Sequence, residues 1–286
     1  MKNKTFPIKK LALVAVFLIV IGTAGAWIVG PGSNHSVTKE ENVDVVDVAQ
    51  IQIQTQNQGV RLHRTTDEQA KIVSSGLPEE ATLEVEVVDD LLIIRTRMPR
   101  QWVQINVFPF HLNELPMLDV YLPDQVYARI AVQTGNGRVE VSDLSITELQ
   151  VETTNAQIEL RDLTGNVDAQ TTNGRIVASD VDGDQARMRT SNGAIDLSRL
   201  TGDIDAQTTN GRVTFHNATV AQNVRLQSSN GNIEMHLRSQ PEHAVFELTT
   251  TNGRRTIFGD ENSTQRFGDE RYEVELRTTN GRITVE

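Results

Sequence analysis

The octapeptide DAQTTNGR occupies residues 168–175 and recurs unchanged at residues 205–212. The two copies, 37 residues apart, are the visible part of a longer series. Asparagines aligned with Asn173 and Asn210 stand at Asn136, Asn155, Asn192, Asn230, Asn252 and Asn280, in steps of 19, 18, 19, 18, 20, 22 and 28 residues. All but Asn155 precede a glycine. A period near 20 residues is the mark of a stacked-repeat architecture.

The flanks repeat column by column. Six and four residues before each asparagine the side chains are apolar, as in Val167 and Ala169, Ala186 and Met188, Ile204 and Ala206, Val224 and Leu226. Three and five residues after it come Ile158 and Leu160, Ile176 and Ala178, Ile195 and Leu197, Val213 and Phe215. This alternation predicts two short strands per repeat, each burying one face. Thr or Ser always stands two residues before the asparagine. A further copy lies upstream, with Ile51, Ile53, Thr55, Asn57, Val60 and Leu62 in the same slots. Between Leu62 and Asn136 the pattern is broken by a predicted hairpin and loop.

Asn-Gly between alternating strands also suits an antiparallel meander of hairpins. The charge columns favour parallel stacking. Five residues before the asparagines the outward positions read Asp168, Arg187, Asp205, Arg225, Glu247. Parallel stacking would make these neighbours about 4.8 Å apart with alternating sign. Two residues after the asparagines the series is Arg138, Gln157, Arg175, Ala194, Arg212, Asn232, an arginine on every second rung. The surface thus repeats every two rungs and the core every rung, which is why the octapeptide skips one. The fold class read from this is all-β: a parallel β-solenoid of about nine rungs with an inserted hairpin and loop. Right-handed coiling is expected from the rule for parallel crossovers. The ladder asparagines are expected at a left-handed corner, where a short amide tolerates positive φ. Proline is absent from 124 to 240, as suits strands that donate to both neighbours.

The chain has 286 residues, 38 acidic against 27 basic, and a net charge of −11. That balance argues against a nucleic-acid binder. No cysteine is present, which excludes disulfides, thiolate chemistry and Cys-ligated metals. Residues 1–10 carry Lys2, Lys4, Lys9 and Lys10 and read as a short cytoplasmic segment; Leu11 to Gly30 are free of charge. Twenty helical residues span about 30 Å, so 11–30 are expected to cross the membrane with the N-terminus inside. The competing reading is a cleaved signal peptide ending near Ala24-Gly25-Ala26, giving a secreted product. The anchor is favoured because the apolar run continues through Trp27, Ile28 and Val29. Residues 31–42 read as a tether. Residues 43–286 form the extracytoplasmic solenoid, divergent over 43–130 and regular over 131–286.

Candidate sites are few. Asp180-Val-Asp182-Gly-Asp184 resembles the start of a calcium loop but lacks the later glycine and glutamate, and it aligns with the turn of other rungs. His216 and His236 fall in one column and could hold a metal with a third ligand such as His243; an incidental surface pair is the plainer reading. Glu140, Glu159, Asp196 and Glu234 form an acidic column, which in a solenoid glycosidase would be catalytic. A face balanced by arginines explains it more simply. No cofactor is implied. Residues 99–116, with Trp102, Phe108 and Phe110, read as a flap over the solenoid or as a binding loop. The excursion from Phe258 to Tyr272 breaks the period before the last rung, and the chain stops at Glu286 in mid-rung. This predicts an open edge that either self-associates or is shielded by the excursion.

A membrane anchor, a divergent β segment and serial T-T-N-G-x-[IV] rungs resemble the β-strand-repeat, adhesin-type family of unknown function, the Toastrack-type domains. LiaG-like membrane-anchored proteins of Gram-positive envelope-stress operons belong there. The resemblance covers about residues 45–286. It implies a non-enzymatic extracytoplasmic domain tied to envelope-stress sensing or adhesion, and supplies no functional residues. The function expected is a binding or sensing module. Its surface would be the column Arg138, Arg175 and Arg212, and its partners a membrane signalling protein or a wall polymer. A passive self-associating stalk is the alternative, and a carbohydrate-active enzyme a third.

Overall fold

The computed structural model describes residues 36–98 and 116–286, and this region is all-β. The expected membrane segment, the Ala24–Ala26 cleavage site and the aromatic segment 99–115 lie outside the described residues.

Each repeat consists of a leading strand before the asparagine and a trailing strand after it. Leading strands pair in parallel and in register with leading strands, aligning Val167, Ala186, Ile204 and Val224. Trailing strands do the same, aligning Ile158, Ile176, Ile195, Val213 and Ile233. The meander is therefore excluded, and the result is a solenoid-like stack. Its two ladders face each other over an aliphatic core in which Leu197, Ile195, Ala206 and Phe215 are fully buried.

Among the described residues the stack has ten parallel rungs, one more than the asparagine column indicates. The extra rung is Leu91–Arg97 with Met117–Pro123, which pair with Gln50–Gln54 and Gly59–Thr65. The long segment between its two strands replaces the Thr-x-Asn-Gly corner, so no asparagine marks it. Spatial order also departs from chain order at both ends. The Asn57 rung lies between the extra rung and the Asn136 rung. The Asn280 rung lies between the Asn230 and Asn252 rungs. The first and last rungs of the sequence are thus both interior. Ile283, expected at an open edge, pairs on one side with Ile233 and on the other with Arg255. The edge belongs to the Asn252 rung, and Thr264–Phe267 from the excursion covers its leading strand in antiparallel pairing. At the opposite end Thr82–Val88 and Gln69–Pro78 pair antiparallel with the extra rung. Ser36–Asp44 adds a further strand there, so pairing begins within the stretch expected to be tether.

The corner sets the rung spacing. A Cβ placed on Gly211 would lie 1.7 Å from the Gly193 carbonyl oxygen, so backbone stacks on backbone without room for a side chain. Thr208 joins the two layers: it accepts the Gly211 N–H at 3.1 Å and donates to the Gly193 carbonyl at 3.0 Å, and it is buried. Thr190, Ser228 and Thr278 repeat this geometry. Outside them the asparagine amides form a continuous ladder from Asn57 through Asn136, Asn155, Asn173, Asn192, Asn210, Asn230 and Asn280 to Asn252. Each Nδ2 donates to the Oδ1 of the neighbouring rung at 2.5–2.8 Å. The rung with Ala156 in the glycine slot shows what the glycine allows. There Thr153 sits 3.4 Å from the Gly135 carbonyl in place of the usual pair of bonds.

The ladder asparagines are not in the left-handed region, which corrects the expectation above. Positive φ falls seven residues later, at Asp143, Asp162, Asp180 and Arg199, with φ of 50–59°. Asp is among the few non-glycine residues that tolerate this region. The asparagine is selected by stacking: an amide can donate and accept in the same column.

Replacing Thr208 by Val keeps the volume and removes both corner bonds, leaving a buried N–H and C=O unpaired. Chemical denaturation should show a loss of about 2 kcal/mol. A change below a few tenths would mean that the hydroxyl column does not hold the corner.

Candidate binding surfaces

The arginine column expected to bind is committed to ion pairs. Each arginine reaches diagonally to the acid four residues after the asparagine of the next rung. Arg138 pairs with Glu159 and also with Glu140 of its own rung, at 2.8 Å for the latter. Arg175 pairs with Asp196 at 2.5 Å and Arg212 with Glu234 at 3.7 Å. Arg161 joins the Glu159 pair. The structure therefore brings together Arg138, Arg175 and Arg212 with Glu140, Glu159, Asp196 and Glu234. These carboxylates neutralise their arginine neighbours across rungs.

The other charged column is in register as expected, with Asp168 beside Arg187 and Arg187 beside Asp205. The ion pairs, however, run from Arg189, which stands 3.7 Å from both Asp168 and Asp205. Further along, Arg225 contacts Glu275, which the interior last rung inserts between Arg225 and Glu247.

Asp180 of the calcium-like stretch accepts two hydrogen bonds from Arg199, through Nε and Nη2, each at 2.5 Å. These bonds, with the guanidinium charge, keep its carboxyl below the usual range. Asp182 accepts the Thr201 hydroxyl at 2.6 Å. This is a turn-to-turn clasp that engages the carboxylates of Asp180 and Asp182.

A shallow groove of about 440 Å³ runs across five rungs beside the asparagine ladder. Gln170, Arg189, Gln207, Gln227 and Arg277 line it, together with the hydroxyl residues Ser191, Thr209, Ser229 and Thr279. At about 4.8 Å per rung, four rung steps extend roughly 19 Å. Sequence columns alone mark these residues as outward and polar and do not reveal the groove.

His216 and His236 stack as the column alignment predicts, with centroids 4.4 Å apart and planes within 8°. His243, the suggested third ligand, pairs instead with Asp269 at 2.8 Å. His236 Nδ1 lies 2.8 Å from Glu286. Desolvation, followed by the positive charge that His236 can carry, lowers the His216 pKa below 6.5; Asp196 and Glu234 offset this only in part. A depressed folded-state value means that the unfolded chain binds the proton better. Stability is therefore full above about pH 6.5 and falls as pH drops towards the lowered value. H216S, which extends the Ser198 column, should flatten the slope of unfolding midpoint against pH between about 7 and 5. An unchanged slope would remove His216 as its source.

No curated protein matches this chain. Solved structures that align with it include a candidate adhesin from Parabacteroides distasonis, 13% identical, covering 88% of this chain and 98% of that one at a TM-score of 0.49. A candidate cell adhesion protein from Clostridium sporogenes is 13% identical over 88% of this chain and 99% of its own, at a TM-score of 0.30. A sequence-family profile described as Toastrack DUF4097 matches residues 48–286, which include every rung of the stack. The chain belongs to the Toastrack DUF4097 family.

Proposed function

We propose that the stack is a non-enzymatic binding module, held outside the cytoplasmic membrane by its N-terminal segment. It engages an envelope polymer or envelope protein and couples to envelope stress through a membrane partner. The observation that carries this reading is the groove across five rungs. Its amide and hydroxyl groups recur with the rung spacing and suit a hydroxyl-rich polymer lying across the strands. The net charge of −11 opposes a long polyanion there. The pairing of the outward acids with arginines on neighbouring rungs supports a non-catalytic role. Arg138, Arg175 and Arg212 lie outside the lining of this groove, and each shares its guanidinium with a carboxylate, so in this reading they are at most secondary contacts.

The alternative of a passive stalk keeps the same stack but loses its proposed joint, since Ile283 is interior. A photo-crosslinking residue at Gln207, in living cells with and without a wall-targeting antibiotic, distinguishes the two. The binding module predicts adducts to envelope polymer or to a membrane protein, altered by the drug. Adducts confined to copies of the same chain would favour the stalk. The anchor predicts full-length protein in the membrane fraction after alkaline extraction; a mature N-terminus near Ala26 in the medium would contradict it.

A further inference from the structure

The charge pattern that governs the outward face breaks at one end of the stack. Along the column two residues after the asparagine, arginines are separated by Gln157, Ala194 and Asn232. Arg282 and Arg254 then occupy this column on adjacent rungs, and both are exposed. The Ile283 N–H donates to the Arg254 carbonyl at 2.9 Å, which fixes the two residues side by side. Elsewhere each arginine finds the acid four residues after the next asparagine, as in Arg175 with Asp196. For Arg282 that position is Thr256, and its own rung offers Thr284. Arg254 has no further parallel rung. Among the described residues neither has a carboxylate within the 4 Å at which the other arginines pair.

A third arginine follows directly. Arg255 stands in the column that holds Ile176, Ile195, Val213 and Ile233 in other rungs. It is half-buried, and its Nε is shielded without a protein acceptor. On this edge strand the Phe258 N–H points into the stack, to Val285, and the Ile257 N–H points off it, to Asp260. By the same alternation the Arg255 N–H points off the edge. Two outward arginines and an outward amide thus lie where the stack ends, with Arg255 in the core-facing column beside them, and the antiparallel strand Thr264–Phe267 covers the leading side only.

We propose that this end of the stack binds a phosphate-type oxyanion, with Arg254 and Arg282 as its principal donors. Two guanidinium groups on neighbouring rungs repel each other, and an anion bridging them converts that repulsion into charge-assisted hydrogen bonds. The planar forks match the tetrahedral oxygens of phosphate. Because the chain as a whole is strongly acidic, the attraction is local and suits one or two phosphate groups. A phospholipid headgroup and the phosphodiester of an envelope polymer present the same chemistry.

The test uses the full chain in a neutral detergent and titrates pyrophosphate at constant ionic strength, read by calorimetry. Saturable binding is expected, weakened at least about tenfold in R254Q/R282Q, the change typical of losing charged donors. R64Q/R97Q, the same charge change at the opposite end, should bind as wild type. Without pyrophosphate, R254Q/R282Q should melt no lower than wild type, because it relieves a like-charge contact. Co-sedimentation with phosphatidylglycerol vesicles and calorimetry with a short soluble phosphodiester, glycerophosphoglycerol, then separate the sources, and loss in R254Q/R282Q with either one supports the site. Equal binding by R254Q/R282Q and wild type, or no saturable binding at matched ionic strength, would overturn it.

Discussion

At the corner of every regular rung, one backbone lies directly on the next. The glycine after the asparagine has the carbonyl of its counterpart less than 2 Å from where a Cβ would be, as at Gly174, Gly193 and Gly211. Most other features of the structure depend on this contact. It forces strict in-register stacking, so each side chain meets its own equivalent above and below. A column then tolerates only groups that can neighbour themselves: apolar residues inside, hydroxyls that accept and donate, and amides that do both. Charges fit this rule best where their sign or presence alternates, and like neighbours such as Glu140 and Glu159 are bridged by an arginine, Arg138. The two-rung surface period, and the repeated octapeptide that displays it, is the consequence.

The same rule explains what the sequence makes legible. The strand pairs, the core columns, the parallel register and the stacked histidines can be read directly because each is a column property. Three features cannot be read that way. The tenth rung lacks the corner motif, so Leu91–Arg97 and Met117–Pro123 look like an insertion. The order of the terminal rungs is hidden because the Asn252 and Asn280 repeats carry the same columns, and either could neighbour Asn230. On sequence grounds the asparagines are the expected left-handed positions, whereas the turn aspartates Asp143, Asp162 and Asp180 adopt that conformation. The recurring Asp or Arg before Leu-Thr-Gly was the available signal. Arg199 in that column is explained by its clasp on Asp180.

Rung order also shapes function. Interior placement of the first and last rungs leaves the stack ends to internal segments of the chain. These ends carry departures from the repeat: the antiparallel strands Gln69–Pro78 and Thr82–Val88 at one, and the Phe258–Tyr272 excursion at the other. The excursion contributes Phe258 and Phe267, which pack edge-to-face with Phe246 and close the core there. The regular middle is a scaffold whose charges are largely satisfied within it. Arg282 and Arg254 stand side by side at the end where the alternation fails, because Thr256 takes the acid's place for Arg282 and no further parallel rung follows Arg254.

Rung order is the claim on which both the fold and the placement of Arg254 beside Arg282 rest, and the absence of cysteine allows a clean test. Cysteines at positions 225 and 275 are on adjacent rungs in register, whereas positions 225 and 247 are separated by the rung between them. Adjacent rungs bring Cα atoms within about 5 Å, inside disulfide range, and a two-rung gap of roughly 10 Å is outside it. Oxidation of the R225C/E275C chain should give a disulfide in high yield, and R225C/E247C should give none. A disulfide between 225 and 247, with none between 225 and 275, would mean that the rungs follow chain order and would contradict the account.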